Sequence, residues 1–230
     1  LERVEALLGR RVLVWDNFWA NDGGDGLDGR ILMGGFTGRP PDLGEAVAGI
    51  VQNPAIQGAV ARFDVAMFGA HAAAGETDVS TQRRHAAERE TEFAIRADDE
   101  TVALVEMLAG VFDGDALSGP GFIDLDSTVA EAVAQLTAGA PIDIDALLDR
   151  FSEMATLQSR VHHSALDPDL VDDLWFPLER IRIEGEAGLW SVLELIARSS
   201  GVDPAPFAAE ADARIVAASR NRFVVSAGVV

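Results

Sequence analysis

The chain has 230 residues, of which 48% are apolar and 24% charged, with no cysteine and 38 acids against 18 bases for a net charge of -20. This composition excludes a disordered or collagen-like chain and any disulfide or thiolate metal site, while the length suffices for one sizeable core or two small ones. So acidic a surface repels nucleic-acid phosphates and anionic membranes, which makes both poor partners.

All 18 bases are arginine, tyrosine is absent, and alanine and glycine abound, as a GC-rich genome tends to write a protein. The chain opens on Leu1 and runs directly into Glu2-Arg3-Val4-Glu5-Ala6-Leu7-Leu8, an amphipathic helix with no cap before it. It is therefore expected to begin inside a helix, with any targeting segment lying upstream. No signal peptide is read, and no apolar run approaches the ~20 residues of a membrane span.

After Gly9, Val12-Leu13-Val14-Trp15 reads as a short strand, followed by a glycine-rich loop from Asn21 to Gly29. Ile31-Leu32-Met33 and a turn at Gly38-Arg39-Pro40-Pro41 come next. Asp42 is placed to cap a short helix through Ala48, and Gly49-Ile50-Val51 forms a second buried strand closed by Asn53-Pro54. Ala55 to Ala74 is helical in pattern. Two short apolar strands joined through helical segments fit parallel β/α units better than a meander.

From about residue 81 strands give way to helices. Asp99 or Thr101 starts one with the stripe Val102, Val105, Leu108 and Phe112. Thr128-Val129-Ala130-Glu131 has capping-box spacing before another, and Leu147, Phe151, Met154 and Val161 line the next. Asp167-Pro168 opens a helix carrying Leu174, Leu178 and Ile181, which Pro177 is expected to kink or split. Trp190, Leu193 and Ile196 are read as the inward face of the following helix, which stops near Gly201; a last helix runs from Pro204 to about Ser219. The fold class is thus mainly α: parallel β/α units over residues 1–80, a helical bundle of five or six members over 81–222, and an extended tail from Phe223 to Val230. Residues 1–80 hold 11 acids against 6 arginines and residues 81–230 hold 27 against 12, so most of the acidity belongs to helix faces.

In parallel β/α arrays, ligands meet the loops that leave the carboxyl ends of strands. The first strand ends in Trp15-Asp16-Asn17 and the second in Gln52-Asn53-Pro54, delivering an asparagine each to the same edge, with Asn21-Asp22 opening the loop beside them. A flat indole with neighbouring amides and carboxylates suits a sugar, which needs an apolar face and paired donors and acceptors. A second reading stands beside it: Trp15 in the core, and Asn17, Asp22 and Asn53 in turns, the commoner role for such residues.

Trp15-Asp16-Asn17-Phe18-Trp19-Ala20-Asn21-Asp22, Ile31-Leu32-Met33-Gly34-Gly35 and Gly49-Ile50-Val51-Gln52-Asn53-Pro54, in this order and spacing, resemble the end of the catalytic barrel of glycoside hydrolase family 84. These are β-N-acetylglucosaminidases that include protein O-GlcNAcases and hyaluronidase-like enzymes. The helical half is also similar to the bundle that follows the barrel there, from Leu174-Trp175 through Ile196. The resemblance implies that Asn17 and Asp22 hold sugar hydroxyls, that Asn53 contacts N-acetylglucosamine, and that the partner is a glycan or glycoprotein bearing that sugar. Trp15 would form a pocket wall. Gly23 stands where the family often has tyrosine, and Gly34-Gly35 where it often has Gly-Pro.

The family hydrolyses by substrate assistance, an adjacent aspartate pair orienting the attacking acetamido group and supplying the general acid and base. That pair is expected upstream of Leu1, because Asp98-Asp99 and Asp172-Asp173 follow no buried strand and read as helix caps or solvated faces. Asp124 and Asp126 precede a capping box and read as a loop. No catalytic residue is assigned within the chain. His71, His85, His162 and His163 show no metal-ligand spacing, Asn21 to Gly29 fits no calcium-loop register, and the glycine pairs make no phosphate cradle. No cofactor or metal is implied. The chain is read as the C-terminal part of a β-N-acetylglucosaminidase, with a non-catalytic interaction module or a sugar-binding relative as the alternatives.

Overall fold

A computed structural model describes residues 2–21, 31–115, 119–120, 131, 134–135, 138 and 140–220. The expected helical start is found as α1 (Glu2–Leu8), closed by Gly9, whose φ of +64° and amide bond to the Glu5 carbonyl end the turn. Strand β1 (Leu13–Asp16) pairs in parallel with β2 (Gly49–Gln52), Leu13 opposite Gly49 and Asp16 opposite Gln52. Backbone bonds from Ala48 to Val12 and from Asn53 to Asp16, each 2.8 Å, extend the ladder at both ends.

Between the strands, residues 31–36 run without regular structure yet are wholly buried. Trp19, Phe18 and Phe36 pack ring against ring at 5.0 to 5.3 Å, and Trp19 donates to the Gly34 carbonyl at 2.8 Å. Gln82 substitutes for a ladder here, accepting from Phe36 N–H at 2.7 Å and donating to the Phe36 carbonyl at 3.1 Å. A Cβ on Gly35 would lie 2.4 Å from a Val79 methyl carbon, so this glycine serves close packing. Helix α2 (Leu43–Ala46) is shorter than expected because Val47 is already extended, and Asp42 makes no side-chain cap bond.

Helix α3 (Gly58–Ala74) begins three residues later than its pattern suggests, the Ile56 amide being engaged by Asn21. It packs on α4 (Val79–Glu90), and α4 on α5 (Asp99–Val111). The sequence reading did not single out α4, whose residues lack a continuous apolar face; Asp78 starts it by accepting from Thr81 N–H at 2.8 Å. In α5 the expected stripe is buried, with Asp98 as cap. A short antiparallel pair, β3 (Gly114–Asp115) and β4 (Gly119–Pro120), follows.

Helices α6 (Ile144–His162), α7 (Pro168–Ser200) and α8 (Ala205–Arg220) complete the described chain, which is mostly helical. Two compact units result: residues 2–120 with 164–173, and residues 131–163 with 174–220. Pro177 neither splits nor ends α7, which runs for 33 residues, so the separate helix expected around Trp190 is a continuation of the same one. It removes the amide that would bond the Asp173 carbonyl, and in the same turn Gln158 of α6 donates to the Trp175 carbonyl at 3.3 Å. Gly185 and Gly188 bring α7 against α6: added Cβ atoms would lie 2.5 Å from the Ala155 nitrogen and 2.2 Å from the Phe151 ring. That seam corrects one expectation. Val192 and Leu195 face inward, whereas Leu193 is 38% exposed and Trp190 and Ile196 are only half-buried. The capping box at Thr128–Glu131 and the tail from Phe223 fall outside the described residues.

Candidate sugar-binding edge

Alternation along a strand sends Leu13, Trp15 and Asn17 to one face and Val14 and Asp16 to the other. Trp15 is 65% exposed, so it is not a core residue. Its indole N–H donates to the Asn17 carboxamide oxygen at 2.6 Å, and Asn53 Nδ2 donates to the same oxygen at 3.1 Å. The parallel register thus brings three of the four site residues read from sequence, Trp15, Asn17 and Asn53, to one exposed carboxyl edge. With its oxygen committed twice, Asn17 has an amide nitrogen to offer and Asn53 an oxygen. One donor and one acceptor stand beside an apolar ring face, the set that a sugar hydroxyl pair requires. The fourth residue, Asp22, lies outside the described residues.

On the opposite face, Asp16 is 6% exposed and accepts Arg39 Nε at 3.0 Å, Arg39 Nη2 at 2.6 Å and Phe18 N–H at 3.1 Å. The Arg39 guanidinium also lies 4.6 Å from the Phe18 ring centre and 5.0 Å from that of Phe36. This fork holds the strand end from behind. Neither amide atom of the adjacent Gln52 has a partner, although both are buried. Asn21, fully buried, donates from Nδ2 to Gln57 Oε1 at 2.8 Å and accepts Ile56 N–H at 3.1 Å. The sequence reading assigned no role to Asp16, Arg39 or Gln57. Their only signal was position: Asp16 alternates with two site residues, and Gln57 follows Asn53 by four residues.

Beneath the second loop, Asp64 of α3 is fully buried with no well-formed hydrogen bond to either carboxylate oxygen. Desolvation pushes its carboxyl well above the ordinary range, and the Ala55 amide relieves this only in part. Glu90, also buried, is raised by desolvation despite its 2.7 Å ion pair with Arg62. Neither acid lies on the exposed edge.

Other described acids cap helices or lie at the surface. Asp98 accepts Thr101 N–H at 2.9 Å, and these backbone and side-chain bonds lower its carboxyl below the usual value. Asp173 accepts from the first turn of α3, and Asp172 is exposed. His71 bonds the Glu76 carbonyl at 3.0 Å and packs on Phe36, while the His162 and His163 rings meet edge to face. Among the described residues no group of acids and histidines is arranged to hold a metal, and no helix is long and apolar enough to cross a membrane. Asp124 and Asp126 lie outside them.

Residues 1–106 match the β-N-acetylglucosaminidase family model. The three motifs between Trp15 and Pro54 that carry the resemblance fall inside that match. Two solved structures share the fold: CpGH84B, at 18% identity and a TM-score of 0.69, and CpGH84D, at 17% and 0.65. Each superposes on 98% of this chain, which spans only 38% and 36% of their respective lengths. The similarity to glycoside hydrolase family 84 is therefore borne out in sequence over the first part and in fold over nearly all of the chain. Among curated proteins, none matches the sequence.

Proposed function

We propose that this chain is the C-terminal part of a β-N-acetylglucosaminidase: residues 1–80 the end of a (β/α)8 barrel, residues 81–222 the helical domain that follows it in the sequence. The observation that carries the reading is the exposed cluster of Trp15, Asn17 and Asn53 at the carboxyl ends of two parallel strands, inside the stretch that matches the family. Asn17 would donate to, and Asn53 accept from, hydroxyls of a terminal N-acetylglucosamine, with Asp22 as a further acceptor and Trp15 as the wall. The parallel pair is what the end of such a barrel supplies, and a complete barrel of ~250 residues would not fit beside a helical domain in this length.

Hydrolysis in this reading is substrate-assisted, with the aspartate pair that orients the acetamido group and moves the proton supplied by a barrel strand outside these residues. The substrate is a glycan or glycoprotein ending in N-acetylglucosamine. The test is turnover of an aryl N-acetyl-β-glucosaminide. The intact protein is expected to hydrolyse it, and residues 1–230 alone are not. An inactive intact protein overturns the hydrolase reading; turnover by the isolated chain overturns the placement of the acids.

A further inference from the structure

Asn17 and Asn53 leave different strands, so their spacing depends on how the two loops are tied. Their mutual bond of 3.1 Å is exposed and competes with water and with any bound hydroxyl. A second tie is buried. Asn21, four residues after Asn17, accepts Ile56 N–H at 3.1 Å and donates to Gln57 Oε1 at 2.8 Å, with Asn21 fully buried and Gln57 8% exposed.

Gln57 occupies the N-cap position of α3 but makes no cap bond. The Asp173 carboxylate caps that helix instead, accepting Ala59 N–H at 2.8 Å and Val60 N–H at 3.4 Å. With capping done from elsewhere in the chain, the Gln57 amide is released to reach across to the other loop. We propose that Asn21 and Gln57 are positioning residues: their buried amide pair sets the separation of Asn17 and Asn53, and through it the affinity for the sugar. This rests on the function proposed above.

Because the affected groups would hold ground-state hydroxyls, the effect belongs in KM. In the intact protein, Gln57→Met keeps the volume and removes the acceptor; KM for an aryl N-acetyl-β-glucosaminide is expected to rise on the order of tenfold with kcat changed less than about twofold. Gln57→Glu, which keeps an acceptor oxygen, is expected to stay within about threefold of the parent. Hydrogen exchange at the Ile56 amide is expected to accelerate in Asn21→Leu. An unchanged KM in Gln57→Met with only a lower melting temperature reduces the pair to a structural strut and overturns the proposal, as does equal damage from Met and Glu. Unaltered exchange at Ile56 overturns the tie itself. An inactive parent removes the hydrolase reading and the positioning role together, and the exchange experiment still decides whether the tie exists.

Discussion

Asp173 caps a helix far upstream in the chain, its Oδ2 accepting the amide of Ala59, 114 residues away, at 2.8 Å. A carboxylate at a helix N-terminus satisfies free amides and opposes the positive end of the dipole. Asp173→Ala should cost about 1 kcal/mol of stability by urea denaturation, within the ~0.5–2 range for lost caps. Asp172→Ala, exposed and one residue away, should change it by less than about 0.5 kcal/mol. Equal effects at the two positions would contradict the capping role.

Asp64 should make the fold less stable as pH rises. Its folded carboxyl is raised by burial, so between the unfolded value of ~3.9 and the folded one the native state holds a proton that the unfolded chain has lost. Stability is fully present below the unfolded value and declines above it. Asp64→Asn should therefore raise the melting temperature at pH 8 and flatten its decline between pH 5 and 8. A variant with the parent's slope would contradict this.

Arg39 and Asp16 are 19% and 6% exposed. Removing one member leaves the other charge buried, so Arg39→Ala should cost about 3 kcal/mol, with little relief from added salt. Arg39→Lys retains charge but not the two-pronged bond and should fall between. A cost below about 0.5 kcal/mol, typical of exposed pairs, would show that the fork carries no load.

The seam of α7 explains what sequence periodicity shows and what it conceals. Buried positions 174, 178, 181, 185, 188, 192 and 195 alternate steps of four and three, a heptad pattern. Leu174, Leu178 and Ile181 were legible as an apolar stripe. The pattern then passes through Gly185 and Gly188, which carry no apolar side chain, and the bulky Trp190 and Leu193 draw the eye to a neighbouring face. The β/α start was readable for the opposite reason, because apolar strands ended in turn residues. The edge of Trp15, Asn17 and Asn53 was legible from strand ends alone, but its supports were not. Arg39 and Gln57 reach Asp16 and Asn21 across 23 and 36 residues, and no local pattern encodes such pairings.

The same seam predicts opposite outcomes for glycine substitutions. Gly188→Ala drives a methyl into Phe151 and should cost about 1–3 kcal/mol. Gly110→Ala, inside α5 with open space around it, should stabilise by about 0.5–1 kcal/mol. Denaturant midpoints measure both, and matching signs would contradict the close crossing of α6 and α7.

The central claim is that Asn17 and Asn53 form a sugar-binding edge. Calorimetric titration of the intact protein with N-acetylglucosamine tests it most directly. Binding by the parent, weakened about tenfold by either Asn17→Ala or Asn53→Ala, is the predicted result. Unchanged affinity in both variants would contradict the account and leave these asparagines as turn residues.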